Sequence, residues 1–415
     1  MSILPDDIRY EILSRLPVKS LLRFRVISRF WLTLIDSPNF IKSHLKQSVK
    51  TKNNLYLILS YYNPGLFDFS RLCRMDLDSV EALEGDGILQ LVEINGNPMR
   101  HHRYNNRIWG TCDGLLCLSN KKQATLSWNP STRIIVGPVN HSNIHQNDRS
   151  ICVMIKAYID IVVVWNPSTK KFVELPFASI EIKDYDPKYS HVHQNRAYGF
   201  GYDNTNDDYK VVRVAVVQDV VRNYEVKVYS LRSNSWHTAD KFPNQDPKFN
   251  GVRNSVAGGA MHWFSVDADL NSSIIAFDLG LETYRVIQLP VCRDLEFYVY
   301  LTSFGGCLSL TCHHYSGHVD TWLLKQYGEA NESWSRFIIL AEQNIPDMSD
   351  YFVRCIAYSK NGKKVLLEMG LNLFWYNLEM GSLEDLMIIH SVEDSLEDIV
   401  SCLESLVSVD VAEAG

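Results

Sequence analysis

The sequence predicts a chain that is α+β by segments: a short N-terminal three-helix module, then a large all-β propeller-like domain of six or seven small antiparallel sheets. Up to about residue 50 the apolar residues recur at helical spacing, and beyond it they alternate with the two-residue period of strands. Two short motifs also repeat through the second part: a Gly-led apolar run, and an aromatic strand running into a polar turn.

The helical part comes first. Pro5-Asp6-Asp7 reads as a helix start, with Pro in the first turn and acids at the positive end of the dipole. Ile8, Ile12 and Leu16 follow four apart, so they share one face. Pro17 stops this helix. Val18, Leu21 and Leu22 suit a second, and Val26, Ile27, Phe30, Trp31, Leu34 and Ile35 a third. Ser37-Pro38-Asn39 is expected to end the third helix. Three short helices cannot bury all these side chains among themselves, so a surplus apolar face is expected for a partner or for the rest of the chain.

In the second part the Gly-led run appears at Asp113-Gly114-Leu115-Leu116-Cys117, at Gly258-Gly259-Ala260, at Gly305-Gly306-Cys307 and, as a variant, at Asn361-Gly362. The aromatic element appears as Trp128-Asn129-Pro130-Ser131-Thr132, Trp165-Asn166-Pro167-Ser168-Thr169, Val228-Tyr229-Ser230, Phe277-Asp278, Trp322-Leu323 and Phe374-Trp375-Tyr376-Asn377. Asn-Pro-Ser-Thr is turn chemistry, because Pro fixes φ and the Asn and Ser side chains bond nearby backbone. Each unit is a small sheet that cannot bury its faces alone, and radial stacking would bury them. The two Trp-Asn-Pro-Ser-Thr copies lie only 37 residues apart, which leaves the unit count at six or seven.

Composition narrows the partners. The chain has 415 residues, 46% of them hydrophobic, and a net charge of −7 with no long basic block, which argues against nucleic acid. No run approaches a membrane span, and Met1 is followed by neither a basic start nor an apolar leader. Nine cysteines without a Cys-x-x-Cys pair fit reduced, buried thiols in the cytoplasm or nucleus. The last Lys or Arg is Lys364, and the acids toward the end of the chain read as a solvated tail over 391–415.

Taken together, the residues resemble a known family. Leu4-Pro5-Asp6-Asp7-Ile8, Ile12 to Leu22, and Trp31 to Phe40 are similar to an F-box. Cys112 to Cys117, the Trp-Asn-Pro-Ser-Thr units, Tyr198 to Asp203, Asp207 to Val212 and Val226 to Trp236 resemble the F-box-associated domain of plant F-box proteins. The resemblance implies an F-box over 1–48 and a target-binding domain over 52–390. It implies a non-catalytic substrate receptor that docks on a Skp-type adaptor and, through it, on cullin and RING subunits of a ubiquitin ligase. The adaptor contacts it implies are Leu4, Pro5, Ile8, Ile12, Leu16, Pro17, Leu21 and Leu22, supported by Val26 and Trp31. Ile27 stands where many members carry Cys, an apolar exchange. An adaptor-binding scaffold without degradation is one alternative, and a propeller enzyme or small-ligand binder is another.

Other motifs read as structure. Gly199-Phe200-Gly201 lacks the longer glycine pattern of a dinucleotide site, and Asp203, Asp207 and Asp208 lack calcium-loop spacing. His101-His102, His313-His314 and His262 show no zinc spacing, and Cys112 and Cys117 have no basic partner nearby in sequence. No catalytic residue, cofactor site or metal site is expected. The unidentified target protein is expected at polar segments 140–150, 183–196, 240–254 and 341–351, with no residue assigned.

Overall fold

The computed structural model describes residues 5–409 apart from 52–53, 64–68, 78–90, 101–105, 130, 132–133, 139–152, 182–195, 218–222, 241–245, 249–254, 267–270, 291–296, 315–316, 342–351, 371 and 387–394. Four helices lead: α1 Asp6–Ser14, α2 Val18–Phe24, α3 Arg29–Ile35 and α4 Pro38–Thr51. The third helix ends at Ile35, ahead of Ser37-Pro38-Asn39 as expected, and Pro38 also starts a fourth helix that the spacing did not announce. Proline needs no N–H in the first turn, and Ser37 Oγ accepts from Phe40 N at 3.3 Å. The helical module therefore runs to Thr51 rather than residue 48.

Six antiparallel sheets follow, arranged as the blades of a propeller. Blade one joins Ser395–Leu403, the innermost strand, to Leu55–Asn63, Phe69–Asp76 and Val92–Glu93. Blade two begins at Arg107–Cys112, blade three at Arg196–Asp203, blade four at Asp246–Lys248 and Val256–Ala257 (both on the inner edge of Ala260–Val266), blade five at Phe297–Phe304 and blade six at Val353–Tyr358. These inner strands contact one another in a closed ring, blade six returning to Ser395–Leu403. Along Leu55–Asn63, Leu57 and Leu59 pack against blade six while Tyr56 and Ile58 pack against blade two. Alternation thus puts apolar residues on both faces, because every blade is sandwiched between two others. An apolar cluster fills each of the six junctions.

The two repeats are the two turns of a blade. The Gly-led runs form the reversal from the first strand to the second, with left-handed backbone at Asp113-Gly114, Gly258-Gly259 and Gly305-Gly306. The aromatic elements lie in or end the third strand, except Trp128-Asn129, which ends Leu115–Asn129, the second strand of blade two. Asn166 Oδ1 accepts from Ser168 N (2.8 Å) and Thr169 N (3.2 Å), and Asp278 and Asn377 make the same bonds in blades four and six. The close pair of Trp-Asn-Pro-Ser-Thr copies belongs to one blade. Leu115–Asn129 and Val153–Asn166 pair along their whole length, from Leu116↔Trp165 to Trp128↔Val153, and their far half carries two extra strands, Ile134–Pro138 and Ile180–Glu181. Six is the blade count, and the duplicate motif marks an arm that projects from blade two.

The expected acidic tail from residue 391 is also corrected. Ser395–Leu403 pairs with Leu55–Asn63 and closes the ring, and residues 404–409 continue as a strap with Leu406, Val407 and Val409 buried. The acid Asp398 is itself buried, bonded to Arg354 at 2.9 Å, which also pairs with buried Glu368.

Candidate adaptor-docking face

The helical module has a small core of Leu13, Val18, Leu21, Ile35 and Phe40, completed by Leu406 from the strap. Tyr10 packs edge-on against Phe40 with ring centroids 5.2 Å apart, and its hydroxyl donates to Asn39 O at 3.0 Å, joining α1 to α4. His44 Nε2 donates to Leu16 O at 2.8 Å, and burial lowers the pKa of its ring. Ser28 caps α3 through Trp31 N, and Arg25 pairs with Asp36 at 2.7 Å.

With that core filled, the apolar surplus is on the surface. Ile8 and Ile12 are 47% and 50% exposed on one stripe of α1. Val26, Ile27, Phe30 and Leu32 are exposed around α3, and Phe30 lies under the Arg9 guanidinium at 5.5 Å, next to α1. Six exposed apolar side chains on a module this small form a patch that a partner's groove could cover. Of the residues the resemblance implied, Pro5, Ile8, Ile12, Pro17 and Val26 are exposed, and Leu16, Leu22 and Trp31 are half-buried against the core. Leu21 is corrected: it is fully buried among Val18, Ile35 and Phe40, so it holds the module together and presents nothing to a partner. Leu4 lies outside the described residues. Phe30 and Leu32 were not singled out as contacts. The signal for them was the same helical spacing, which does not tell an outward face from an inward one.

The module sits on one face of the propeller. Ile41 and Leu45 of α4 pack on the cluster between blades two and three, and Lys42 reaches Asp207 in a first-to-second-strand turn at 2.8 Å. The strap fixes this seat. Asn166 Nδ2 donates to Ser405 O (3.0 Å) and Val407 O (2.8 Å), and Arg74 pairs with Glu404 at 2.7 Å. Gly114 lies under the strap so closely that a β-carbon there would sit 2.3 Å from Ser405 Cβ and 2.6 Å from Leu403 O.

Strand direction then divides the connections. First-to-second and third-to-outer turns open toward the helices, and the remaining connections leave from the opposite face. The arm of blade two, with Met154 and Tyr158 exposed, projects on that opposite face. The segments 140–150, 183–196, 240–254 and 341–351, where target contacts were expected, lie almost wholly outside the described residues.

Two comparisons decide the family. A model of the F-box associated beta propeller domain matches residues 138–410, and a model of the F-box domain matches residues 1–43. The chain belongs to the F-box-associated propeller family. This F-box protein is similar to the F-box protein CPR1 of Arabidopsis thaliana, 28% identical over 94% of this chain and 85% of that one. An F-box/kelch-repeat protein of the same plant is 27% identical over 91% and 88%. Among solved structures, the Aleuria aurantia lectin shares 11% identity at a TM-score of 0.38, covering 84% of this chain and 95% of the lectin. At that distance it carries no functional weight.

The remaining sequence motifs resolve into packing. Gly199 and Gly201 make room for Met261, Val256 and Leu279 of blade four, where a β-carbon would clash. Asp203, Asp207 and Asp208 diverge to Lys210, Lys42 and Ser230 respectively. Burial pushes the Cys112 and Cys117 thiols well up, which disfavours the reactive thiolate. His101 and His102 lie outside the described residues. Among the described residues no helix is long and apolar enough to cross a membrane.

Proposed function

We propose that this F-box protein is the substrate-recognition subunit of a cullin–RING ubiquitin ligase. The helical face would seat a Skp-type adaptor, and the far face of the propeller would hold the target protein. The observation that carries the reading is the exposed apolar patch of Ile8, Ile12, Val26, Ile27 and Phe30 on a module whose core is already filled. Helix-in-groove docking through such spaced anchors is the physical mode. Because the strap and α4 seat the module against blades two and three, a target on the far face would be held at a set distance from the adaptor. The protein's contribution is then proximity: it raises the effective concentration of a target lysine at the charged enzyme, and the bond-making groups lie in other subunits. The arm of blade two is the first place to look for target contacts.

The test is capture of a Skp-type adaptor by the full chain and by Ile8→Asp/Ile12→Asp. Both sites are half-exposed, so the variant should fold and lose at least tenfold in affinity. Leu21→Ala is the contrast. It should cost about 2–5 kcal/mol of stability while leaving the surface of the folded fraction intact. Undiminished capture by the folded Ile8/Ile12 variant would overturn the reading.

A further inference from the structure

We propose that His314, His318 and Asp320 form a binding site for a divalent transition-metal ion of the zinc type, on blade five at the face away from the helices. Nothing in the adaptor or target reading requires this site, and it stands on separate observations.

The hairpin creates the cluster. Cys307–His314 and Val319–Lys325 run antiparallel, with Cys312↔Asp320 and His313↔Val319 in register. His314 N donates to His318 O at 3.0 Å, and Gly317, at φ 87°, supplies the left-handed residue of the reversal. Alternation therefore puts His314, His318 and Asp320 on one side of the hairpin and His313 on the other.

The geometry suits ligation. One ligand atom from each residue lies within 4.8 Å of the others. His314 Nε2 and Asp320 Oδ2 are 3.5 Å apart, too long for a good hydrogen bond. It is near the edge of a tetrahedron with metal bonds of 2.0–2.1 Å, about 3.4 Å. The imidazoles lie parallel with centroids 4.0 Å apart, so half-buried His318 is the ring that pivots to converge on a shared ion.

Burial gives the second, independent observation. The Asp320 side chain is 5% exposed, and its Oδ1 has no hydrogen-bond partner among the described residues. A buried carboxylate oxygen without a donor is costly, and a cation would satisfy it. Two imidazoles and a carboxylate are a donor set that zinc and neighbouring divalent ions accept, with a further position left for water.

Arg336 is the competitor. Its Nη2 lies 3.4 Å from Asp320 Oδ2, and its half-exposed guanidinium also rests 4.7 Å from the Trp322 ring. Metal loading displaces it from the carboxylate and leaves it on the indole. Removing that cation should therefore tighten binding.

The experiment titrates zinc into the chelator-stripped full chain by calorimetry, alongside His318→Ala, Asp320→Asn and Arg336→Gln. Cobalt(II) serves as a spectroscopic probe, because nitrogen and oxygen donors give d–d bands without the thiolate charge-transfer band of a cysteine site. The expected result is one ion per chain, lost in His318→Ala and Asp320→Asn and bound severalfold more tightly in Arg336→Gln. The proposal is overturned if the wild type takes up no ion at micromolar concentrations, if His318→Ala binds unchanged, or if the cobalt spectrum is that of thiolates. Should Asp320→Asn fail to fold, His318→Ala decides, since His318 is half-buried at the turn.

Discussion

Leu21 and Ile8 are both aliphatic residues of short neighbouring helices, yet one is fully buried and the other half-exposed. Periodicity finds the stripe each belongs to, and it cannot say which stripe the module keeps for itself. That depends on Leu406, almost four hundred residues away, which takes one side of the core. Histidines show how burial decides what spacing cannot. His262 Nδ1 donates to Ser255 O and its Nε2 accepts from the Tyr327 hydroxyl, both at 2.8 Å, which suits a neutral ring. Burial lowers His262 and His313 from 6.5 to about 4. The unfolded chain binds these protons from about pH 6.5 downward, whereas the folded chain binds them only near 4. Their contribution to stability is therefore complete above pH 6.5 and is lost as the pH falls toward 4. Urea midpoints at pH 7.5, 6 and 5 should fall in that order, and His262→Gln should flatten the slope. A pH-independent midpoint would show that these rings do not titrate with unfolding.

At the scale of the element, the turns were the most legible part. Gly-Gly and Asn-Pro-Ser-Thr prescribe their backbone locally, and both turned out where a blade reverses. The duplicated Trp-Asn-Pro-Ser-Thr was less clear because a turn motif does not reveal which strand it ends. Only the pairing of Leu115–Asn129 with Val153–Asn166 shows that both copies share a sheet. Gly114 and Gly306 have nearly the same φ, 82° and 80°, but only Gly114 lies under another segment. Gly306→Ala should cost only the left-handed strain, about 1–2 kcal/mol. Gly114→Ala should cost more, because the new methyl strikes the strap at Ser405. Equal losses in chemical denaturation would mean that the strap yields to the methyl.

Across the whole molecule, the architecture was readable as far as the ring and misread at its closure. The segment from 395 to 403 read as an acidic tail because acids without Lys or Arg follow Lys364, and its broken two-residue period gave no strand signal against that reading. The pairing shifts between Ser60 and Tyr61, where Glu397 is the extra residue. Leu396 and Ile399 consequently face one junction, and Val400 and Cys402 the other. The strap that follows joins two bodies that sequence spacing treats as separate. Leu406→Ala should therefore weaken the helices, about 2–5 kcal/mol locally. Hydrogen exchange should report faster exchange in α1 to α4 with blade five unchanged. A uniform acceleration across the blades would instead indicate that the strap supports the entire ring.

The closing strand also sets a schedule. Leu55–Asn63 leaves the ribosome early, but its inner neighbour Ser395–Leu403 is made some 340 residues later. At 5–20 residues per second that is a wait of roughly 20 to 70 s. Throughout it the nascent first blade has an open edge, and the four helices lack the leucine that completes their core. A chain that stops short of Ser395 thus lacks both the strand that seals the ring and the leucine that completes the helical core, so its helical module should be less stable than in the full chain.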